Sequence, residues 1–358
     1  MSRNARVKTQ FVAGIFSLAA LALFSAFAGT NAEAISSSEL FSVHARVVVV
    51  HDPAATEAFE ARIDKLRPMV EKGLTLLTAK PSVAEAWRSL LSSNDVVGIK
   101  VHSQPGPRSG TRPAVVSALV EGLIASGMRA SNIIIWDRHV ADLKRAGFAE
   151  LQTRYGIRLQ GSADAGYDDK AFYETPLLGQ LILGDREFGN KGEGVGRKSY
   201  VSKLISKEIT KIINVTPLLN HYRAGVTGNL YSLAIGSVDN IGRFDNDTGR
   251  LAQAVPEIYA LPELSDRVVL NVVDALVCQF EGEHLSLLHY AEPLNELRFS
   301  ADPVALDVLS LQALARQRSA AGGFPSTNRF ELYSNAALLE LGISDPGAIR
   351  VERAEMKN

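Results

Sequence analysis

Five apolar, β-branched runs set the limits on what this chain can fold into: RVVVV at 46–50, VVGIKV at 96–101, NIIIW at 132–136, KIINV at 211–215 and RVVLNVV at 267–273. Each is continuous rather than alternating, which suits a strand covered on both faces. Segments with helical patterning separate them, at 55–77, 83–92, 113–126, 139–155 and 199–208. This alternation specifies an α/β fold: a mostly parallel sheet with helices on both faces, in Rossmann-like layers. The best-defined unit runs from VVGIKV through PAVVSALVEGLIASG to NIIIW, with Thr111 as a helix cap, Pro113 in the first turn and Gly127 past the end. It reads as a βαβ crossover. No repeat, low-complexity linker or charge block offers a place to cut the chain, so residues 35–358 read as a single domain, built as one unit or as two intimately packed lobes. Residues 162–198 are rich in Gly and Asp with few periodic signals, and read as an insertion or lid.

Residues 1–34 carry the features of a secretory signal peptide. Arg3, Arg6 and Lys8 precede an apolar run from Phe11 to Ala28, and Ala32-Glu33-Ala34 supplies a small-x-small cleavage pattern. The expected location is periplasmic or secreted, with the membrane met only through the export signal. Removing the leader takes three basic and one acidic residue from totals of 38 and 39, leaving a net charge of −3. No segment concentrates positive charge, so nucleic acid is not an expected partner. Cys278 is the only cysteine, which excludes an internal disulfide and any iron–sulfur cluster or cysteine-built zinc site. It lies in the apolar run VVLNVVDALVC, where a buried inert thiol is expected.

In an open parallel sheet, ligands bind beyond the carboxyl ends of the strands, and the residues there are polar in this chain. VVGIKV carries Lys100 and leads into HSQPGPRSGTRP, with His102, Arg108, Thr111 and Arg112. NIIIW leads into Asp137, Arg138 and His139, and KIINV into Asn220, His221, Tyr222 and Arg223. The loop 102–113 joins two glycines and two arginines to a helix N-terminus, a setting that favours an anion. A solvated arginine loop with a threonine cap is the alternative. His221 is followed by GVTGN, in which Thr227 or Asn229 can direct polar groups at a ligand. His221 itself suits an acid–base role, an anion contact, a metal ligand or a plain loop histidine.

Cofactors are less defined. No HxH, HExxH or HxxxH pattern is present, but His102, Asp137, His139, His221 and Asp274 are expected at one end of the sheet, which leaves a divalent metal open. DNIGRFDNDTG lacks the glycine and distal glutamate of a calcium loop and reads as a polar turn. GNKGEGVGRKS at 189–199 has Arg197 where both nucleotide fingerprints require a small residue, so there is no nucleotide fingerprint. No Gly-x-Ser-x-Gly elbow supplies a nucleophile.

VGIKVH, NIIIWDR, INVTPLLNH with AGVTGNL, and SADPVALD at 300–307 follow one another in an order that resembles the domain of unknown function 362 family, from about Arg46 to Arg318. The resemblance implies an α/β protein of undefined role, and some relatives carry ferredoxin-like cysteines that this chain lacks. By similarity Lys100, His221, Asp302 and Asp307 fall in the family's blocks, although Asp302 also reads as a helix cap. Many relatives place lysine before the central histidine and a Lys-Asn pair after the glycines, where this chain has Leu219-Asn220 and Tyr231-Ser232. The expected function is therefore an exported protein that binds, and on the enzymatic reading transforms, a small anionic molecule at the carboxyl ends of the strands. Lys100, Arg108 and Arg112 are the anion contacts and His221 and Lys100 the candidate catalytic residues. The alternative is a non-catalytic periplasmic or surface ligand-binding protein.

Overall fold

The computed structural model describes residues 44–175, 196–323 and 331–357. The leader and the middle of the 162–198 segment, with most of its glycine cluster, lie outside the described residues. In chain order the strands begin with β1 (Ala45–His51), the two-residue pair β2 (Thr56–Glu57) and β3 (Glu60–Ala61), β4 (Val97–Val101), β5 (Ile133–Asp137) and β6 (Arg158–Gly161). They continue with β7 (Tyr167–Glu174), β8 (Lys198–Ser202), β9 (Lys211–His221), β10 (Gly225–Val226), β11 (Val268–Gln279), β12 (Ala291–Ser300) and β13 (Ile349–Glu355). The helices are α1 (Ile63–Thr78), α2 (Val83–Leu90), α3 (Pro113–Ala125), α4 (Val140–Arg145), α5 (Ala149–Tyr155), α6 (Asn229–Ser237), α7 (Thr248–Tyr259), α8 (Pro303–Ala320) and α9 (Glu331–Leu338).

The main sheet has the order β13-β1-β12-β11-β9-β4-β5-β6, with β10 folded back on β9. Pairing is parallel except around β12, which runs antiparallel to both β1 and β11, and in the short β9–β10 hairpin. The α/β expectation holds, with one reversed strand inside the sheet. Two apolar layers cover it. One packs α1 to α3 and α5 against Ile99, Ile135, Val215 and Val272; the other packs α6 to α9 against Ile134, Ile212, Leu218 and Val273. Alternate residues of each strand serve opposite layers, and for this reason the runs lack an apolar–polar rhythm.

Several element boundaries differ from the sequence reading, each for a local reason. The segment 199–208 was expected as a helix; it holds strand β8 and a single π-helical turn, Leu204–Glu208. β8 pairs with β7 in a separate antiparallel ribbon. The 139–155 helix is broken at Gly147, whose φ of 93° is left-handed, into α4 and α5. Strand β9 runs on to His221, six residues beyond KIINV, although it contains Pro217. Proline removes a ladder donor and is tolerated in a sheet at a bulge. Here Pro217 is opposite Asp274, and the register then jumps so that Leu218 pairs with Cys278. Cys278 is fully buried, and burial pushes its thiol up to about 12, as expected of an inert core residue.

Helix α6 is buried nearly all round, and its backbone ends are satisfied by side chains from elsewhere. Asp307 on α8 accepts the N–H groups of Asn229 and Leu230 at 2.6 and 3.0 Å. The approach leaves no room at Gly228, where a Cβ would lie 2.3 Å from the Asp307 carboxylate. We expect Gly228→Ala to lower unfolding stability by about 1–3 kcal/mol, the usual range for overpacking, measured as a lower urea midpoint with unchanged m-value.

Candidate functional site

Parallel strands β4 and β5 end side by side, and their last residues meet the buried helix α6. Lys100, the penultimate residue of β4, is fully buried, and its ammonium lies 3.0 Å from Asp137 Oδ1 at the end of β5. It also donates to the Val101 carbonyl at 2.6 Å and to Ser232 Oγ at 3.0 Å, which uses all three of its protons. Gly236 makes the approach feasible, since a Cβ there would sit 2.3 Å from Lys100 Cε. Asp137 accepts in addition from Ser103 N and Oγ, both at 2.7 Å, and from Arg138 N at 2.8 Å. Burial alone would raise the Asp137 carboxyl; the Lys100 charge, with His102 and the Ser103 bonds, outweighs it and holds the group down at about 2. Burial pulls the Lys100 ammonium down while Asp137 opposes that shift. An ionised Asp137 in the core requires the charged lysine beside it, because either charge alone would be strongly disfavoured there.

Above this pair opens a cavity of about 250 Å³. Strand β4 and its loop contribute His102 and Gln104, and β5 with the turn after it contributes Asp137, Arg138, His139 and Asp142. One face of α6 supplies Tyr231, Ser232, Ile235 and Gly236, with Ile241 and Asp245 closing the far side. Charges there are largely internally matched. Asp142 pairs with Arg145 at 2.6 Å, and Tyr231 Oη donates to Asp245 at 3.2 Å. Arg138 caps the end of α6 by donating to the carbonyls of Ile235 and Val238, both at 3.2 Å. His102 is pushed down to about 4 by burial and by the Lys100 and His284 charges, against the pull of Asp137, so it is neutral near pH 7. A larger hollow of about 720 Å³ lies at the opposite edge of the sheet, lined by Leu77, Ala301, Ala337 and Ile343 together with His44, Arg46, Ser300, Asp302 and Glu340, away from the ends of β4 and β5.

Of the residues expected to form a site, His102 and Asp137 line this cavity, and Lys100 is buried beneath it against Asp137 and Ser232. His221 stands one layer behind, its ring 4.2 Å from that of Tyr231. Its Nδ1 accepts the backbone N–H groups of Arg223 and Ala224, at 3.3 and 3.0 Å. Burial pushes the imidazole down to about 3, helped by Arg223, His102 and His284. A neutral ring whose Nδ1 lone pair is occupied carries its proton on Nε2. His221 can donate from that position, but its one lone pair, on Nδ1, is engaged by the backbone and is not open to a substrate proton.

The others hold the frame together. Arg112 makes a buried pair with Asp274 at 3.0 Å, and the same carboxylate accepts the Arg112 N–H at the start of α3. The anion expected at that helix end is thus the protein's own aspartate. Arg108 is exposed, 3.8 Å from Glu60. Thr111 does not cap α3; its hydroxyl ties the Val215 carbonyl to the His102 N–H. Asn220 accepts from Glu283 N, and Thr227 N donates to the Leu219 carbonyl. Asn229 bridges Asp307 and Asn214, and Arg223 belongs to the turn that fixes His221. Asp302 caps α8 through Ala305 N, as its position before Pro303 implied. Among the described residues, no group of three or more His, Cys, Asp or Glu side chains is arranged to hold a metal ion.

Ser232, Gln104 and Asp142 were not singled out from the sequence as ligand contacts. A signal was present in part: Tyr231, Ser232, Ile235 and Gly236 share one face of a helix at spacings of one and four. Tyr231 and Ser232 are also the two positions at which this chain departs from the Lys-Asn pair of its resemblance.

An α/β sheet with a polar cavity at the carboxyl edge of its parallel strands defines the class of protein. The family model for a domain of unknown function, DUF362, matches residues 97–312, and the chain belongs to that family. The match spans every strand that borders the cavity. A structure from Thermotoga maritima, determined by the Northeast Structural Genomics Consortium, shares 11% identity, covering 75% of this chain and 60% of that one, with a TM-score of 0.38. This chain thus spans less than two thirds of that protein's length. No match was found among curated proteins.

A test of the frame follows from the Arg112–Asp274 pair. Arg112→Met leaves a buried carboxylate without its partner, which typically costs about 3–5 kcal/mol. We expect denaturant unfolding to show a loss of that order.

Proposed function

We propose that this protein binds, without transforming, a small molecule that presents a carboxylate or similar oxygen acceptor to the cavity between β4, β5 and α6. The observation that carries this reading is the Ser232 hydroxyl. Lys100, as an ammonium, can only donate, so Ser232 Oγ accepts from it and keeps its own proton for an acceptor in the cavity. A hydroxyl polarised by a buried cation is a stronger donor than a free one. Arg138 adds a positive charge to the same wall. The volume lies at or below the lower end of the range for drug-sized ligands, roughly 300–1,000 Å³, which suits a small acid better than a nucleotide.

Two observations favour binding over catalysis. His221 has its only free lone pair engaged, and Lys100 is held as an ammonium by Asp137. Neither can take a proton from a substrate near neutral pH. The sequence at 1–34 supports export, and on that reading the protein works in the periplasm or outside the cell.

Thermal denaturation against a panel of small carboxylic acids, their amides and matched amines tests the proposal. A ligand at a hundred times its Kd stabilises by about 2.7 kcal/mol. Stabilisation by one or more acids, abolished in Ser232→Ala, is the expected outcome. Stabilisation by amines alone, or an acid response that survives in Ser232→Ala, would contradict it.

A further inference from the structure

The cavity wall changes character along α6. At the last turn of the helix stands Arg138, whose Nη1 donates to the Ile235 and Val238 carbonyls. Among the described residues nothing accepts from its Nε or Nη2, so those protons remain for a ligand. Ser232 precedes Ile235 by three residues and so shares its helix face, adding the hydroxyl polarised by Lys100 to this donor end. Acceptors dominate elsewhere on the wall. Tyr231, near the start of α6, donates to Asp245 at 3.2 Å, and an ionised carboxylate can accept from more than one donor. Asp142 binds Arg145 through Oδ1, and among the described residues no hydrogen bond reaches its Oδ2. His102, neutral near pH 7, offers one acceptor nitrogen, and Gln104 an amide oxygen.

We infer, on the binding reading above, that the ligand is a small amino acid taken as its zwitterion, with the carboxylate on Arg138 and Ser232 and the ammonium on the carboxylates of Asp142 and Asp245. A plain acid brings acceptors only. It would satisfy the Arg138 and Ser232 donors, yet carry a negative charge into a space that Asp142 and Asp245 also line and displace their water without offering them a donor. A plain amine fails at the other end, leaving the Arg138 and Ser232 protons unmet. An amino acid serves both ends, and it adds no net charge to a wall whose Lys100–Asp137 and Asp142–Arg145 pairs are already matched. The cavity of about 250 Å³ suits a molecule of that size, with Ile235 and Ile241 as apolar contacts for its side chain.

Isothermal titration of the protein at pH 7 tests this, using the small amino acids, each beside its des-amino acid and its decarboxylated amine. At least one amino acid should bind roughly tenfold or more tighter than both of its counterparts, the usual scale for losing a hydrogen bond between charged groups. Asp142→Asn or Asp245→Asn should weaken that amino acid by a similar factor and narrow its lead over the des-amino acid. Should neither variant fold, the wild-type comparison decides alone. Equal affinity for an amino acid and its des-amino acid would overturn the zwitterion and leave the carboxylate reading standing. A lead that survives in both variants would overturn the placement of the ammonium. An amine that binds as tightly as its amino acid, or no binding by acids and amino acids alike, would overturn both readings together.

Discussion

A helix buried on nearly every side has nowhere to hide polar groups, and α6 is such a helix. Water cannot reach its ends, so the protein must supply partners for them. It does so with a row of buried polar side chains that crosses the sheet at one level: Lys100, Asn214, Asn271 and Ser300 are neighbours in register on β4, β9, β11 and β12. Lys100 reaches Ser232 in the middle of α6, and Asn214 reaches the Asn229 carbonyl at its start. Ser162 and Arg138 take carbonyls at its end, and Asp307 takes the N–H groups. The cavity is a by-product of this arrangement, since α6 can approach the sheet closely only where Gly236 lets it.

The same economy explains where an anion can and cannot be held. Helix N-termini attract negative charge, and three at or near the carboxyl edge already have it: Asp274 at α3, Asp164 at α4 and Asp307 at α6. What remains for a ligand is a donor that the protein cannot satisfy itself. Ser232 provides one, because its lone pair is taken and its proton is not.

Much of this was legible in the chain. Continuous apolar runs with helical segments between them specified a parallel sheet, and the rule that ligands gather beyond strand ends placed Lys100, His102 and Asp137 together. Boundaries failed where a special residue had a structural reason invisible in sequence, as with Pro217 opposite a bulge in β11. Roles failed where a partner came from far along the chain. Arg112 looked like an anion contact until Asp274, 162 residues later, took its Nη1 while the Arg108 carbonyl took its Nη2. Asp307 looked like a member of a terminal block, and its task is to hold a helix 77 residues earlier. Spacing within one stretch cannot report such pairings. Ser232 was visible only as a departure from a resemblance, and its meaning depends on Lys100 standing beneath it.

The account rests on Lys100 being a charged ammonium pinned by Asp137. Nitrogen NMR of the Lys100 side chain reads this directly. We predict an ammonium with slowly exchanging protons that shows no titration between pH 5 and pH 9. A neutral amine within that range, or one that gains and loses its proton there, would contradict the account: Ser232 would then be free to donate to Lys100, and the cavity would lose the donor on which the proposed ligand recognition depends.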